Sequence, residues 1–493
     1  MKRLLVLVVA LTAACGSTVQ VSSQVTGPGS GDGLSATSPT SSTGGGLTPG
    51  GSTIGATTGS SLGSAGTSTG GAGSTSGTSA TGGTTATTPT TVTRSSGRAP
   101  IQIGFITTSV GNAEALGVNA GQSYTDKAMF DALVAEYNAA GGVAGHRILP
   151  VYGETDTAGS DWSTEFNAVC TKFTQDNHVK AVIGYVFVFL PSFESCLAHA
   201  QVPHLYGGYQ PGDIVDQQQY PTLVATGHPT VNGFTLTALQ GALSSGRLNA
   251  QTKLGVIVDT CANGDRAYSQ TIDPWLKAHH VNYQTVVGNC ARGASDVSGA
   301  ASLISSAELR FASSGVNLVF GSAVELLLFM EDAQSQNYAP EYLTAVGGAA
   351  LQANAPASQM KHLHGYGWMP AVDVDAQHQP YPQTAHQKSC IAKLVKHGLR
   401  PAAYNDFMAA YQACDGIELY AKALAAAGTT EPHAIVSGVL SALPAFAGTG
   451  TYAGTMRASN HQRGGPATYR EYGWTDSCSC LTYRGPSYPV PNP

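Results

Sequence analysis

The chain has 493 residues and a formal net charge of −6. It has no run of Lys or Arg and no basic–aromatic alternation, which excludes the usual nucleic-acid-binding patterns. Residues 16–97 are almost entirely Gly, Ser, Thr, Ala and Pro with no aromatic residue, so they cannot bury enough apolar surface to offset their ordering entropy.

Lys2 and Arg3 precede an apolar run, Leu4 to Ala14, too short for a bilayer core of roughly 30 Å; this is the layout of a secretory signal. The run ends in Leu11-Thr12-Ala13-Ala14-Cys15-Gly16, which resembles a bacterial lipobox. Residues 1–15 are therefore expected to be a lipoprotein signal ending at a lipidated Cys15, holding the exported chain on the outer face of the cell membrane. Residues 16–98 read as a flexible linker, whose coil dimensions give an rms span of about 50 Å. The later apolar stretch Leu326 to Met330 is too short to span a membrane and is followed by Glu331 and Asp332.

From Pro100 the pattern changes to alternating strands and helices. Ile101–Ile106 predicts a strand, and residues 124–139 a helix with Ala128, Met129, Ala132, Leu133 and Tyr137 at helical spacing. Strands follow at 147–152, 179–184 and 202–206, with helices at 163–173 and 192–200. The pattern restarts after Thr226: helices at 230–243, 266–279, 296–311 and 323–334 alternate with strands at 253–258, 281–287, 316–320 and 342–346. Such alternation predicts parallel sheets covered on both faces, here in two successive α/β halves around a cleft.

Apart from Cys15, eight cysteines occur: Cys170, Cys196, Cys261, Cys290, Cys390, Cys414, Cys478 and Cys480. An even number in an exported chain predicts disulfides between sequential neighbours. Closing loops of roughly 25 to 30 residues stabilises by about 3 kcal/mol each in the chain-entropy model. No cysteine pair has zinc-knuckle spacing. His362 and His364 share one face of a strand but have no evident carboxylate partner, so no metal or cofactor is expected. The chain also lacks a G-x-S-x-G elbow, an H-E-x-x-H pair and a P-loop lysine, which argues against an enzyme.

The segment Glu136-Tyr137-Asn138-Ala139-Ala140-Gly141-Gly142-Val143-Ala144-Gly145-His146-Arg147-Ile148 resembles the helix-to-strand signature of type I periplasmic binding proteins, of the leucine/isoleucine/valine-binding kind. Tyr404–Leu424 is similar to their late helix, and Gly464–Tyr483 to their final hairpin-like segment. The resemblance implies a two-lobed α/β clamshell with three hinge crossings, placed near Thr226, Ala371 and Ala445. The N-lobe is then 99–226 plus 372–445, and the C-lobe 227–371 plus 446–493. Each sequential cysteine pair falls within one lobe under this division.

The resemblance further implies a monomeric solute-binding protein with two partners, a small-molecule ligand and an ABC permease. A membrane-tethered ligand sensor is the alternative function, and a secreted hydrolase a third. Mapped by the resemblance, the expected ligand contacts are Ser109 and Val110 after strand 1, Tyr185 and Phe187 after strand 3, and Tyr209 and Gln210 after strand 4. In the C-lobe they are Asn263, Asp265, Ser322, Glu325 and Trp368. The run Gly184-Tyr185-Val186-Phe187-Val188-Phe189-Leu190 offers no small hydroxyl residue of the kind that holds an amino-acid carboxylate in this family. It points instead to an apolar or ring-bearing ligand.

Overall fold

A computed structural model describes residues 97–109, 122–186, 188–208, 212–258, 260–374, 384–451, 456–459 and 462–492. The signal, Cys15 and linker residues 16–96 lie outside the described residues, and Arg98, expected in the linker, already begins the first strand. The chain begins with β1 (Arg98–Ser109), and Thr125 then caps the helix Asp126–Ala139 by accepting the amide of Ala128 at 3.2 Å. That helix buries Met129, Phe130 and Leu133 against the sheet, where the rings of Phe130 and Phe105 lie 4.6 Å apart. Burying each such side chain stabilises by roughly 1.5–3 kcal/mol.

The glycine-rich signature works as a corner. Gly142 has φ +80°, and a Cβ there would lie 2.0 Å from the carbonyl oxygen of His146. Asn138 then clamps the next strand: its Oδ1 accepts the amide of Ile148 at 2.8 Å, and its Nδ2 donates to the carbonyl of Ile148 at 3.0 Å. This sets the register of β2 (His146–Asp156) beside β1. β3 (Val182–Tyr185), β4 (His204–Gly207) and β5 (Leu223–Ala225) complete a parallel array in the order β2-β1-β3-β4-β5.

The chain leaves this sheet after Ala225 and builds a second one. β6 (Lys253–Val258), β7 (Asn282–Val287), β8 (Leu318–Phe320), β9 (Glu341–Thr344) and β10 (Leu363–Gly367) are parallel in the order β7-β6-β8-β9-β10, the same arrangement as in the first. Both sheets carry apolar clusters on their two faces, the burial expected for parallel sheets. The helices Ala385–Lys396, Tyr404–Ala427 and Pro432–Ala442 return to the first lobe, contributing Leu394, Tyr411, Ile417 and Val439 to its core.

The last crossing differs from expectation. β11 (Met456–Ser459) and β12 (Gln462–Pro466) belong to the first sheet, with Gly464 paired to Ala225 of β5. Only β13 (Thr468–Thr475) and β14 (Cys480–Pro489) join the second sheet, antiparallel at its β10 edge. The crossing therefore falls between Pro466 and Thr468, not near Ala445. Of the hairpin-like segment expected from Gly464 onward, β13 and β14 form the hairpin in the second sheet, while Gly464–Pro466 ends a strand of the first. Arg463 anchors the switch: its Nε donates to the carbonyl of Leu223 at 3.2 Å and its Nη2 to that of Tyr220 at 2.7 Å.

Four disulfides form, all between sequential cysteines. Cys170–Cys196 and Cys390–Cys414 link elements of the first lobe, and Cys261–Cys290 and Cys478–Cys480 those of the second. Among the described residues no helix is long and apolar enough to cross a membrane.

Candidate functional site

The carboxyl ends of the parallel strands in both sheets carry the loops that face the other lobe. Contacts between these loops appear at the far edges of the sheets. The segment after β2 meets the segment after β7: the amide of Trp162 donates to the carbonyl of Arg292 at 3.0 Å, and the amide of Ala294 to that of Gly159 at 2.9 Å. Ala291 packs against the apolar cluster of the opposite lobe that contains Trp162 and Phe166. The disulfide Cys261–Cys290 ties the loop after β6 to this reaching segment.

A second contact between lobes is ionic. Asp213 and Asp216 form a reciprocal capping box on the short helix Ile214–Gln219, which follows β4. Arg266, on the helix Ala262–Ala267 after β6, spans both carboxylates: Nε donates to Asp213 at 2.7 Å and Nη2 to Asp216 at 2.7 Å. Both carboxylates are buried, while Arg266 is 30% exposed. Burial and the adjacent Asp213 push the Asp216 carboxyl up, and Arg266 opposes this. The hydrogen bond to Asp213 in turn raises the Arg266 guanidinium further. The spacing Asp213-x-x-Asp216 signals a helix start, but no local signal pairs it with Arg266 in the other lobe.

The expected ligand contacts separate into four groups. Val110, Phe187, Tyr209 and Gln210 lie outside the described residues, as does the side chain of Tyr185. Ser109 is exposed at the end of β1, and Asn263 is buried and Asp265 exposed on the helix after β6. Ser322 and Glu325 are brought together, but by each other: the amide of Ser322 donates to Glu325 Oε2 at 2.7 Å in the capping box of the helix Ala323–Ser335.

Trp368 does not line the cleft. It is fully buried, its indole N–H donates to the carbonyl of Gly227 at 2.9 Å, and its ring meets His228 and Phe234 edge-on. The glycines beside it serve other neighbours: a Cβ at Gly365 would lie 1.9 Å from the Tyr472 ring, and one at Gly367 2.2 Å from the Asp373 carboxylate. They make room for core packing rather than for a ligand. Val188, Phe189 and Leu190 after β3 are likewise packed into the core beneath the loop.

His362 and His364 do have a carboxylate partner. Glu341 on β9 accepts from both rings, at 3.3 Å for His362, and these hydrogen bonds hold its carboxyl below the usual range. The described residues contain no group of three or more His, Cys, Asp or Glu side chains suited to a metal.

Two sheets of the same strand order, joined by three crossings and touching through loops at their carboxyl ends, define a clamshell. The family model described as periplasmic binding protein matches residues 100–473. The chain belongs to this family. Proteins of this family bind solutes rather than transform them, and the binding protein described here is no enzyme.

Solved structures agree on the fold of this binding protein. A fatty acid ABC transporter substrate-binding protein from Thermomonospora curvata matches at 14% identity, covering 80% of this chain and 95% of its own, with a TM-score of 0.55. A solute-binding protein of an ABC transporter from Rhodopseudomonas palustris HaA2, in complex with p-hydroxybenzoic acid, matches at 16% identity, 79% and 97% coverage, and TM-score 0.56. The branched-chain amino acid transporter substrate-binding protein LivJ from Streptococcus pneumoniae, in complex with isoleucine, matches at 18% identity, 78% and 100% coverage, and TM-score 0.53. No curated protein sequence matches the chain.

Proposed function

We propose that this chain captures a small organic solute between its lobes outside the cytoplasm and delivers it to an ABC permease. The observation that carries this reading is the pair of facing loop sets at the strand carboxyl ends, already in contact through Trp162–Arg292 and Arg266–Asp213. Closure of this kind removes a ligand from water and strengthens its polar contacts. Cys15 serves as the lipid anchor, and the linker as a tether with an rms span of about 50 Å, which keeps the binding domain near its permease.

The solute is apolar or ring-bearing rather than a free α-amino acid. The described residues after β3 (Val186, Val188, Phe189 and Leu190) supply no side-chain hydroxyl for a carboxylate. The structural neighbours carry cargo of both kinds, p-hydroxybenzoic acid in one and isoleucine in another.

The test is mass spectrometry of small molecules released when the protein, purified from its own host, is denatured. Stoichiometric release of one apolar or aromatic compound is expected. Release of leucine, or micromolar leucine binding by calorimetry, would overturn the ligand class. An intact-mass measurement showing an unlipidated N-terminus would remove the anchor and leave the binding reading standing.

A further inference from the structure

At the carboxyl ends of β1 and β3, directly under the cleft face of the N-lobe, a small gap opens between the helices Asp126–Ala139 and Tyr404–Ala427. It is walled by Ile106, Met129, Phe130 and Gly184, and two polar side chains reach it, Asp126 and Gln412. It leaves ≈ 10 Å³, room for one water-sized group.

The two polar groups differ in state. Asp126 is engaged: its Oδ2 accepts the amide of Thr108 at 2.9 Å, and its Oδ1 accepts from Gln122 at 2.9 Å. Gln412 is only 3% exposed, yet among the described residues neither its Oε1 nor its Nε2 has a hydrogen-bond partner. Its amide lies against Gly207, the last residue of β4, and Gly227, at the first hinge crossing; a Cβ at either glycine would come within 2.6 Å of it. An amide buried without partners is destabilising, so its retention calls for an occupant.

We propose that Gln412 is the N-lobe polar anchor of the solute site, taking the hydroxyl of an otherwise apolar ligand into the gap beside Asp126. The inference rests on the solute-capture reading and narrows its ligand class. An amide offers one acceptor and two donors, and a hydroxyl answers both kinds with a single atom. The apolar walls exclude a larger polar group. A carboxylate is disfavoured because the gap lining holds no basic side chain, and Asp406 lies within electrostatic reach of Asp126. Discrimination of this type is strong, since a buried amide left without its partner penalises ligands lacking the hydroxyl.

The experiment titrates wild type, Gln412→Leu and Gln412→Met with benzyl alcohol, 1-hexanol, benzoate, hexanoate and leucine by calorimetry, with thermal midpoints recorded for each protein. Wild type is expected to bind at least one alcohol in preference to its carboxylate. Both variants should weaken that alcohol at least tenfold while their midpoints hold or rise, because each removes an unpartnered buried group. Equal alcohol binding by wild type and either folded variant would overturn the inference while leaving solute capture intact. So would preferential binding of a carboxylate or leucine, or a crystal structure at saturating alcohol with only a water on Gln412. Binding of no probe by wild type would count against the capture reading itself and take this inference with it.

Discussion

The indole N–H of Trp368 donates to the carbonyl of Gly227 at 2.9 Å, tying the second crossing between the sheets to the first. The tryptophan follows β10, the glycine follows β5, and the ring fills the space between His228 and Phe234. The bond links two of the segments that cross between the sheets directly to each other.

Trp368→Phe keeps an aromatic ring and removes the donor, leaving the Gly227 carbonyl without this partner. A loss of about 1–3 kcal/mol is expected, and Trp368→Ala should cost about 3–5 kcal/mol. Equilibrium denaturation in urea measures both. A Phe variant as stable as wild type would show that the bond does not hold the hinge.

Arg266→Met removes the ionic contact between lobes while leaving the Asp213–Asp216 capping box in place. Hydrogen bonds to charged groups of this kind contribute about 1.5–3 kcal/mol, here to closure rather than to folding. Small-angle scattering should show a larger radius of gyration for the variant, with little change in thermal midpoint.

Stability should fall as pH rises above neutrality. Burial pushes the carboxyl of Asp373 up to about 8 and that of Asp415 up to about 7, although Tyr483 and backbone amides donate to the former and the amides of Gly450 and Thr449 to the latter. Both bind protons in the native state that the unfolded chain has released above pH 4, so their contribution is complete below that value and is lost as pH rises through the native values. His228 acts in the opposite sense: burial lowers it to about 3, so below its ordinary value near 6.5 only the unfolded chain takes up its proton. Between pH 6.5 and 8.5 the histidine is silent and the carboxyls decide. Unfolding free energy should drop across that window by about 1.4 kcal/mol for each pH unit over which one carboxyl is protonated only in the native state, and the thermal midpoint should fall with it. Asp373→Asn should flatten the profile.

Much of the fold is legible in the chain because its signals are local. Asn138 and Gly142 mark a helix end and a strand start within a few residues, and alternation from Ile101 to Val346 marks two parallel α/β halves. The third crossing, expected near Ala445, was not legible, because nothing local separates Gln462–Pro466, the end of a strand in the first sheet, from the hairpin that follows it in the second. The site was less legible still. Ser322 and Glu325 carry ligand-like chemistry but satisfy each other across one helix turn, and the glycines beside Trp368 serve Tyr472 and Asp373. Arg266 finds its partners some 50 residues away, a distance at which no sequence pattern acts.

Asn138→Ala should destabilise the N-lobe by about 2 kcal/mol, since both of its hydrogen bonds to Ile148 are lost and each contributes about 1 kcal/mol net. Hydrogen exchange should show the loss as faster opening of β2 relative to β6 in the other lobe. Uniform loss in both lobes would mean that the clamp does not act locally.

The central claim is that the two lobes close around a solute, and the distance between them tests it most directly. Lys172 and Ser306 are exposed, one on each lobe, and the eight core cysteines are held in disulfides, so spin labels at Lys172→Cys and Ser306→Cys report that distance. Two separations are expected, with the shorter one gaining population when the solute released from the native protein is added back, and losing it in Arg266→Met. A single separation that responds to neither would contradict the account.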